Sequence, residues 1–174
     1  ITQHYVLIGF NELTINMIRE LYNECPSARI LLMSGIEAAT VRHRIQSALP
    51  VEIERQVLVY FGNIESIEEL QRLNIESAIE VYVLGDEERY GRDAKNIAIV
   101  HLVSTLRGKC YDGKMMPVYV QFDSIPSYSN IQKMNLPPEV FCIEGKPNIF
   151  FRPFNLHENL ARQLWSLYGA DCER

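Results

Sequence analysis

The chain has 174 residues and a net charge of −5, from 17 basic and 22 acidic side chains. With 47% hydrophobic and 22% charged residues it has the composition of a globular domain, which excludes a wholly disordered chain. The negative charge argues against a nucleic-acid binder or an anionic-membrane binder, and no apolar run reaches the roughly 20 residues that a membrane-spanning helix needs.

Short apolar runs alternate with amphipathic stretches as far as residue 122. The runs predict parallel strands, because strands that are buried on both faces are continuously apolar. The predicted strands are residues 5–8, 29–33, 57–60, 79–84 and 117–122. The predicted helices are one from Leu13 to a stop near Pro26 and those over residues 36–49, 64–73 and 92–106. This alternation predicts an α/β fold, a Rossmann-like, doubly wound, mostly parallel sheet with helices on both faces.

The helix predicted over residues 92–106 is apolar on more than one side. A helix whose apolar residues lie nearly all round it is buried. We therefore expect the sheet to cover one side of this helix and a partner subunit to cover the other.

The last part of the chain is organised differently. Residues 123–148 carry four prolines and little periodicity, which predicts an irregular excursion rather than a second domain. Residues 149–151 predict a sixth strand. Residues 156–168 predict a helix that places Leu156, Leu160, Leu164 and Trp165 on one face.

A glycine stands at or just after the end of each of the first four predicted strands: Gly9, Gly35, Gly62 and Gly85. Ligands of doubly wound sheets bind beyond the carboxyl ends of the strands, so this placement favours a ligand cleft. The alternative is that any strand-to-helix turn favours glycine. The residues expected to line the cleft are Gly9, Phe10, Asn11, Glu12, Ser34, Gly62, Asn63, Gly85, Asp86 and Glu87.

The dinucleotide fingerprint G-x-G-x-x-G is incomplete after the first strand. Gly9 keeps its first glycine, but Asn11 and Thr14 replace the second and third. Ser34 stands where the fingerprint places the acid that binds the ribose. These replacements argue against a bound NAD.

The net charge falls on one segment, because residues 62–92 hold eight acids and three arginines. A pyrophosphate would need Arg89, Arg92 or the helix start near Leu13 to offset the acids at the cleft. Those acids could instead hold Ca²⁺ or Mg²⁺, or they are a solvated helix start favoured by the helix dipole. The acids bordering the cleft are Glu12, Asp86, Glu87 and Glu88.

The cysteines and histidines do not indicate a metal or redox site. The four cysteines are scattered without a C-x-x-C pair, which predicts ordinary reduced thiols. The four histidines show no metal-ligand spacing. His101 lies within a predicted helix, and we expect it to be packed in the interior rather than to act as a base.

One stretch of the chain resembles a known family. It reads Gly62-Asn63, then Leu70, then the run from Leu73 to Ala78, a strand, and Gly85-Asp86-Glu87-Glu88. This is similar to the G-D…L…A-G-I…A-D…strand…D-D-E pattern of RCK domains, also called KTN or TrkA-N domains. The resemblance covers about residues 4–122 and is strongest over 57–106. The incomplete glycine loop is most similar to the subset found in CASTOR/POLLUX-type and calcium-activated channels.

The resemblance implies a cytoplasmic, non-enzymatic regulatory domain that senses a ligand or an ion for a potassium channel or transporter. It implies a core over residues 1–122, an excursion over 123–148, and a final strand and crossover helix over 149–174. It also implies a homodimer or higher assembly through helices 92–106 and 156–168, and a membrane pore domain in the same chain or in a partner. Neither nucleic-acid binding nor membrane insertion by this chain is expected. The cofactor stays open between a divalent cation and a nucleotide.

Two other functions stay open on the sequence. One is an NAD(P)-dependent oxidoreductase, against which Lys95 stands one residue too far from Tyr90 for a Tyr-x-x-x-Lys pair. The other is a ligand-free assembly module, in which the cleft has no occupant and only the dimer matters.

Overall fold

The computed structural model describes residues 3–87, 91–106 and 116–122, together with the backbone of residues 151–153. Within these ranges six strands form one parallel sheet in the order β3-β2-β1-β4-β5-β6. The strands are β1 His4–Ile8, β2 Arg29–Ser34, β3 Val57–Phe61, β4 Ala78–Val83, β5 Val118–Phe122 and β6 Phe151–Pro153. The strand order reverses between β1 and β4, which places the topological switch point at their carboxyl ends. The predicted α/β fold is confirmed.

Helices cover both faces of the sheet. They are α1 Thr14–Glu24, α2 Ala38–Ala48, α3 Val51–Glu54, α4 Ile67–Gln71 and α5 Arg92–Leu106, with a 3₁₀ turn at Ile75–Ser77. Alternate residues of each strand point to opposite faces, so the sheet divides the core into two clusters. One cluster packs α1, α2 and α3 against Tyr5 and Leu7, and the other packs α4 and α5 against Val6 and Ile8.

Some predicted boundaries are wrong for local reasons. Pro50 ends the run of α2 as expected, but it also starts the short helix α3. Helix α4 is shorter than residues 64–73, because Ser66 caps its start and Asn74 takes the left-handed conformation after its end. The predicted sixth strand is present as Phe151–Pro153, and its expected start at residues 149 and 150 lies outside the described residues. The expected excursion over 123–148 and the helix over 156–168 lie outside the described residues.

Helix α5 has the predicted bounds and two different sides. Ile99, Val100 and Val103 are buried in the core, whereas the opposite side exposes a line of uncharged positions at helical spacing. This exposed line is Ala94, Ala98, His101 and Thr105. The expectation that His101 is packed in the interior is therefore wrong. None of the helices in the described ranges has the length and apolarity needed to cross a membrane.

His4, at the start of β1, is fully buried. Its Nε2 lies 2.9 Å from the carbonyl oxygen of Leu73, so Nε2 carries the proton and donates it. Nδ1 has no hydrogen-bond partner among the described residues. Burial lowers the pKa of His4 below its ordinary value, and the bond to Leu73 opposes that effect only in part.

The buried histidine predicts how stability depends on pH. The folded-state pKa of His4 lies below the ordinary 6.5, so the unfolded chain takes up a proton first as the pH falls. The free energy of unfolding should therefore decrease between about pH 7.5 and about pH 5.5. His4→Gln keeps an N–H for Leu73 and removes the titration, so urea unfolding of this variant should show a smaller decrease. An equal decrease in both proteins would contradict the neutral buried histidine.

Candidate functional site

The backbones of Gly9 and Gly85 contact each other at the switch point. The amides of Leu84 and Gly85 both donate to the carbonyl oxygen of Ile8, at 2.8 and 3.1 Å. Gly9 has a φ of +97°, and a Cβ built on it would lie 2.3 Å from the carbonyl carbon of Gly85. Only glycine fits at position 9, because the backbones at the ends of β1 and β4 are in direct contact there.

Asn11 fastens the loop after β1 to the neighbouring strands. Its side chain is buried, and Nδ2 lies 3.0 Å from the oxygen of Leu84, 3.2 Å from that of Gly85 and 3.0 Å from Oε1 of Gln121. Its Oδ1 accepts from the amide of Leu13. Asn11 therefore joins β1 to the ends of β4 and β5 from inside the fold, at a position where the dinucleotide fingerprint requires a glycine.

Asp86 extends its carboxylate over the ends of β1 and β2. Oδ1 accepts from the amide of Phe10 at 2.9 Å and from the hydroxyl of Ser34 at 2.6 Å, and Oδ2 accepts from the amide of Gly35 at 3.0 Å. A Cβ on Gly35 would lie 3.1 Å from Oδ2, so glycine allows this close approach. We call these three donors, the Phe10 amide, the Ser34 hydroxyl and the Gly35 amide, the oxyanion cradle.

The segment that carries Asp86 is held from two sides. We call residues 85–87 the strap. Arg92, whose side chain is almost fully buried, donates to the carbonyl oxygens of Asp86 and Glu87 at 3.1 and 3.3 Å. On the outer side, the Glu87 carboxylate forms an ion pair with Arg44 of α2. The strap thus connects the cradle both to the first residue of α5 and to α2.

Acidic side chains at this edge of the sheet lie close to arginines. The Glu12 carboxylate lies 3.8 Å from the Arg92 guanidinium. The Arg44 guanidinium pairs with Glu87 and lies 5.7 Å from the centre of the Phe10 ring. The described residues include no group of three or more His, Cys, Asp or Glu that could hold a metal ion. Glu12 and Glu87 are therefore paired with arginines, and Asp86 is bound by backbone and hydroxyl donors. Glu88, the fourth acid expected at the cleft, lies outside the described residues.

A cleft of about 420 Å³ opens outside the strap. Four of the ten residues expected in the cleft line it, namely Asn63, Gly85, Asp86 and Glu87. Gly35, one of the four strand-end glycines, and Arg92, which the sequence offered as a cation near the acids, also line the cleft. Its remaining lining residues were not expected there, although Ile36 follows Gly35 directly and Lys95 shares one side of α5 with Arg92. They are Ile36, Ile64, Glu65 and Lys95.

The other six expected residues lie around the cleft rather than on its wall. Gly9, Phe10, Asn11 and Ser34 are buried. Glu12 is exposed beside Arg92. The amide of Gly62 donates to Ser34 at 3.1 Å, and a Cβ on Gly62 would lie 2.8 Å from a Glu69 carboxylate oxygen. The structure therefore brings the four glycine-containing loops together, but the cleft is formed mainly by those after β2, β3 and β4.

Comparison with solved structures identifies the fold. The TrkA-N domain of the inner membrane protein ybaL from Escherichia coli matches with a TM-score of 0.59 at 14% identity, over 97% of this chain and 98% of that chain. The GsuK RCK domain matches with a TM-score of 0.55 at 14% identity, over 76% of this chain and 24% of that chain. The GsuK channel bound to NAD matches with a TM-score of 0.54 at 14% identity, over 76% of this chain. This chain corresponds to 20% of that last GsuK chain.

No protein-family model matches the sequence, and no curated protein matches it. The structural matches show that the chain has the Rossmann-like fold of RCK and TrkA-N domains. The fold expected from the stretch between Gly62 and Glu88 is therefore confirmed.

The contact between Gly9 and Gly85 makes a prediction about glycine replacement. Gly9→Ala places a Cβ against the Gly85 backbone at positive φ, so it should destabilise the fold by about 4 kcal/mol or more. Gly91 also has a positive φ, of +76°, but no atom of the described residues lies within 4 Å of its Cβ position. Gly91→Ala should therefore cost only about 1–2 kcal/mol. Urea unfolding measures both variants, and equal costs would show that the Gly9–Gly85 contact is not made.

Proposed function

We propose that this chain is an RCK-type regulatory domain of a potassium channel or transporter. It lies in the cytoplasm and senses a ligand or an ion in the cleft at the carboxyl ends of the strands. The observation that carries the proposal is the agreement of two likenesses. The sequence pattern over residues 57–106 resembles RCK domains. The fold of the chain matches the TrkA-N domain of ybaL over 97% of its length and the GsuK RCK domain over 76%.

The proposed mechanism is a population shift between two arrangements of paired domains. The strap supplies the physical connection, because Arg92 binds the carbonyl oxygens of Asp86 and Glu87 and is also the first residue of α5. A ligand that moves the strap therefore moves the start of α5. The exposed line on α5 then carries the change to a partner subunit, and through it to a pore in the same chain or in a partner.

The proposed cleft is degenerate as a dinucleotide site. In a nucleotide-binding Rossmann fold the pyrophosphate approaches the loop after β1 at the switch point. Here the buried Asn11 side chain stands where the second glycine of the fingerprint lets the backbone approach the pyrophosphate, and the Asp86 carboxylate accepts from the Phe10 amide of the same loop. A dinucleotide would have to displace this carboxylate and also accommodate the Asn11 side chain, which is fastened to the ends of β4 and β5. We propose that the sensed ligand is not NAD.

A ligand panel tests the degenerate cleft. A ligand at 100 times its Kd stabilises a protein by about 2.7 kcal/mol, which raises the melting temperature by several degrees. Thermal unfolding with NAD, NADH, ATP, AMP, Ca²⁺, Mg²⁺ and K⁺ should give no such rise for NAD or NADH. A rise with either dinucleotide would contradict the degenerate cleft, and turnover of a nicotinamide cofactor would contradict the regulatory function.

The exposed line on α5 predicts the dimer interface. Ala98 lies in the middle of this line, so Ala98→Glu should bury a charge at the interface and convert the dimer to monomers. Ala39 on α2 is also an exposed helical alanine, and it lies on the opposite face of the sheet. Ala39→Glu should leave the dimer intact. Light scattering after size-exclusion chromatography measures the mass, and a monomeric wild type or a dimeric Ala98→Glu would contradict this interface.

A ligand-free assembly module is the second candidate, and one observation favours it. The three donors of the cradle already have a partner within the chain, the Asp86 carboxylate. A stable dimer that responds to none of the ligands in the panel would favour this second function over the first.

A further inference from the structure

We propose that the oxyanion cradle is an exchangeable anion site whose resting occupant is the Asp86 carboxylate. A phosphate or carboxylate group of an incoming ligand takes the place of Asp86 when its side chain turns out of the cradle. The regulatory consequence rests on the proposed function, but the exchange itself rests only on the geometry of these loops.

The donors of the cradle require an anion or its equivalent. The amide of Ile36 donates to the Ser34 oxygen at 3.0 Å, and the Ser34 hydroxyl proton points to Asp86. Phe10 and Ser34 are buried, so an empty cradle would leave buried donors without acceptors, which costs free energy for each group. A carboxylate accepts hydrogen bonds and donates none, and a phosphate group offers similar acceptor oxygens. The site therefore has the chemistry of an oxyanion receptor.

The cradle is built by the backbone rather than by flexible side chains. Gly35 directly follows β2, and Phe10 is separated from the end of β1 only by Gly9. Every residue of β1 pairs with β2, and the amide of Gly9 donates to Met33 of β2 at 2.8 Å. The sheet therefore fixes the spacing between these two donors whether or not Asp86 is present. Because the two amides keep their spacing without Asp86, they can bind another anion after Asp86 has left.

The Asp86 side chain can move into the adjoining cleft when it leaves the cradle. Its side chain is partly exposed and lines the cleft of about 420 Å³ outside the strap. The Arg92 bonds go to backbone carbonyls of the strap, so they do not hold the carboxylate itself. The Arg44–Glu87 pair is nearly half exposed on both sides, and such surface pairs contribute about 0–1 kcal/mol. Rotation of one side chain toward the cleft vacates the cradle.

Chemical rescue tests the proposal with defined anions. Asp86→Ala removes the resting occupant and opens the cradle to the adjoining cleft of about 420 Å³, from which acetate or inorganic phosphate can reach the three donors. The melting temperature of Asp86→Ala should rise with acetate or with phosphate, relative to chloride at equal ionic strength. Wild type should show a much smaller rise, because its cradle is filled. Glu20→Ala, which removes an exposed acid of α1 that does not line the cleft, should behave as wild type does.

The two anions identify the ligand class. A response to acetate alone assigns a carboxylate ligand, and a response to phosphate assigns a phosphate-bearing one. The amide resonances of Phe10 and Gly35 should move in the same titrations with saturation. No response of Asp86→Ala to either anion, or an equal response of wild type, would overturn the proposal.

A second variant covers the case in which Asp86→Ala does not fold. Asp86→Asn keeps one acceptor oxygen and has an amide nitrogen in place of the other. This variant should therefore fold, and its side chain should bind the three donors of the cradle less tightly than Asp86 does. The anions should stabilise Asp86→Asn more than wild type, and equal stabilisation would overturn the proposal. The rescue does not depend on a dimer or on NAD, so its failure is distinguishable from failure of the proposed function.

Discussion

The direct contact of Gly9 with Gly85 sets the geometry of the whole carboxyl edge of the sheet. It allows the loops after β1 and β4 to meet without side chains between them, and this closeness brings the strap over the ends of β1 and β2. Asp86 can then reach the Phe10 amide and the Gly35 amide with one carboxylate. The hydrogen bonds of Asn11 to β4 and β5 fix the same arrangement from the inside.

These contacts give the edge a different chemistry from that of a dinucleotide site. Residues 62–92 carry the net negative charge of the chain. From this segment Asp86 binds donors inside the fold, so its charge is not simply an exposed charge that repels external anions. Because Arg92 binds the strap and begins α5, the occupant of the cradle and the position of α5 are parts of one connected unit. The proposed regulatory function would use this connection between a ligand site and an exposed helix.

The sequence predicts the sheet well, because buried strands and helices leave periodic patterns. It also places Gly9 and Gly85 correctly at strand ends, since local turn chemistry demands glycine there. It does not predict the role of Asn11, which looks like a lost glycine although it is a buried hydrogen-bonding side chain. Nor does it predict the partners of Asp86, which lie 76 and 52 residues away along the chain. Such distances depend on strand order and register, which a one-dimensional pattern does not contain.

The central claim is that the Asp86 carboxylate holds the Phe10 and Gly35 amides in the resting protein. Amide hydrogen exchange followed by NMR in wild type and Asp86→Asn tests it most directly. Exchange at Phe10 and Gly35 should be slow in wild type and about tenfold or more faster in the variant, which corresponds to about 1.4 kcal/mol. The amide of Gly9, which donates to Met33 at 2.8 Å, should be unchanged. Equal exchange rates at Phe10 and Gly35 in the two proteins would contradict the account.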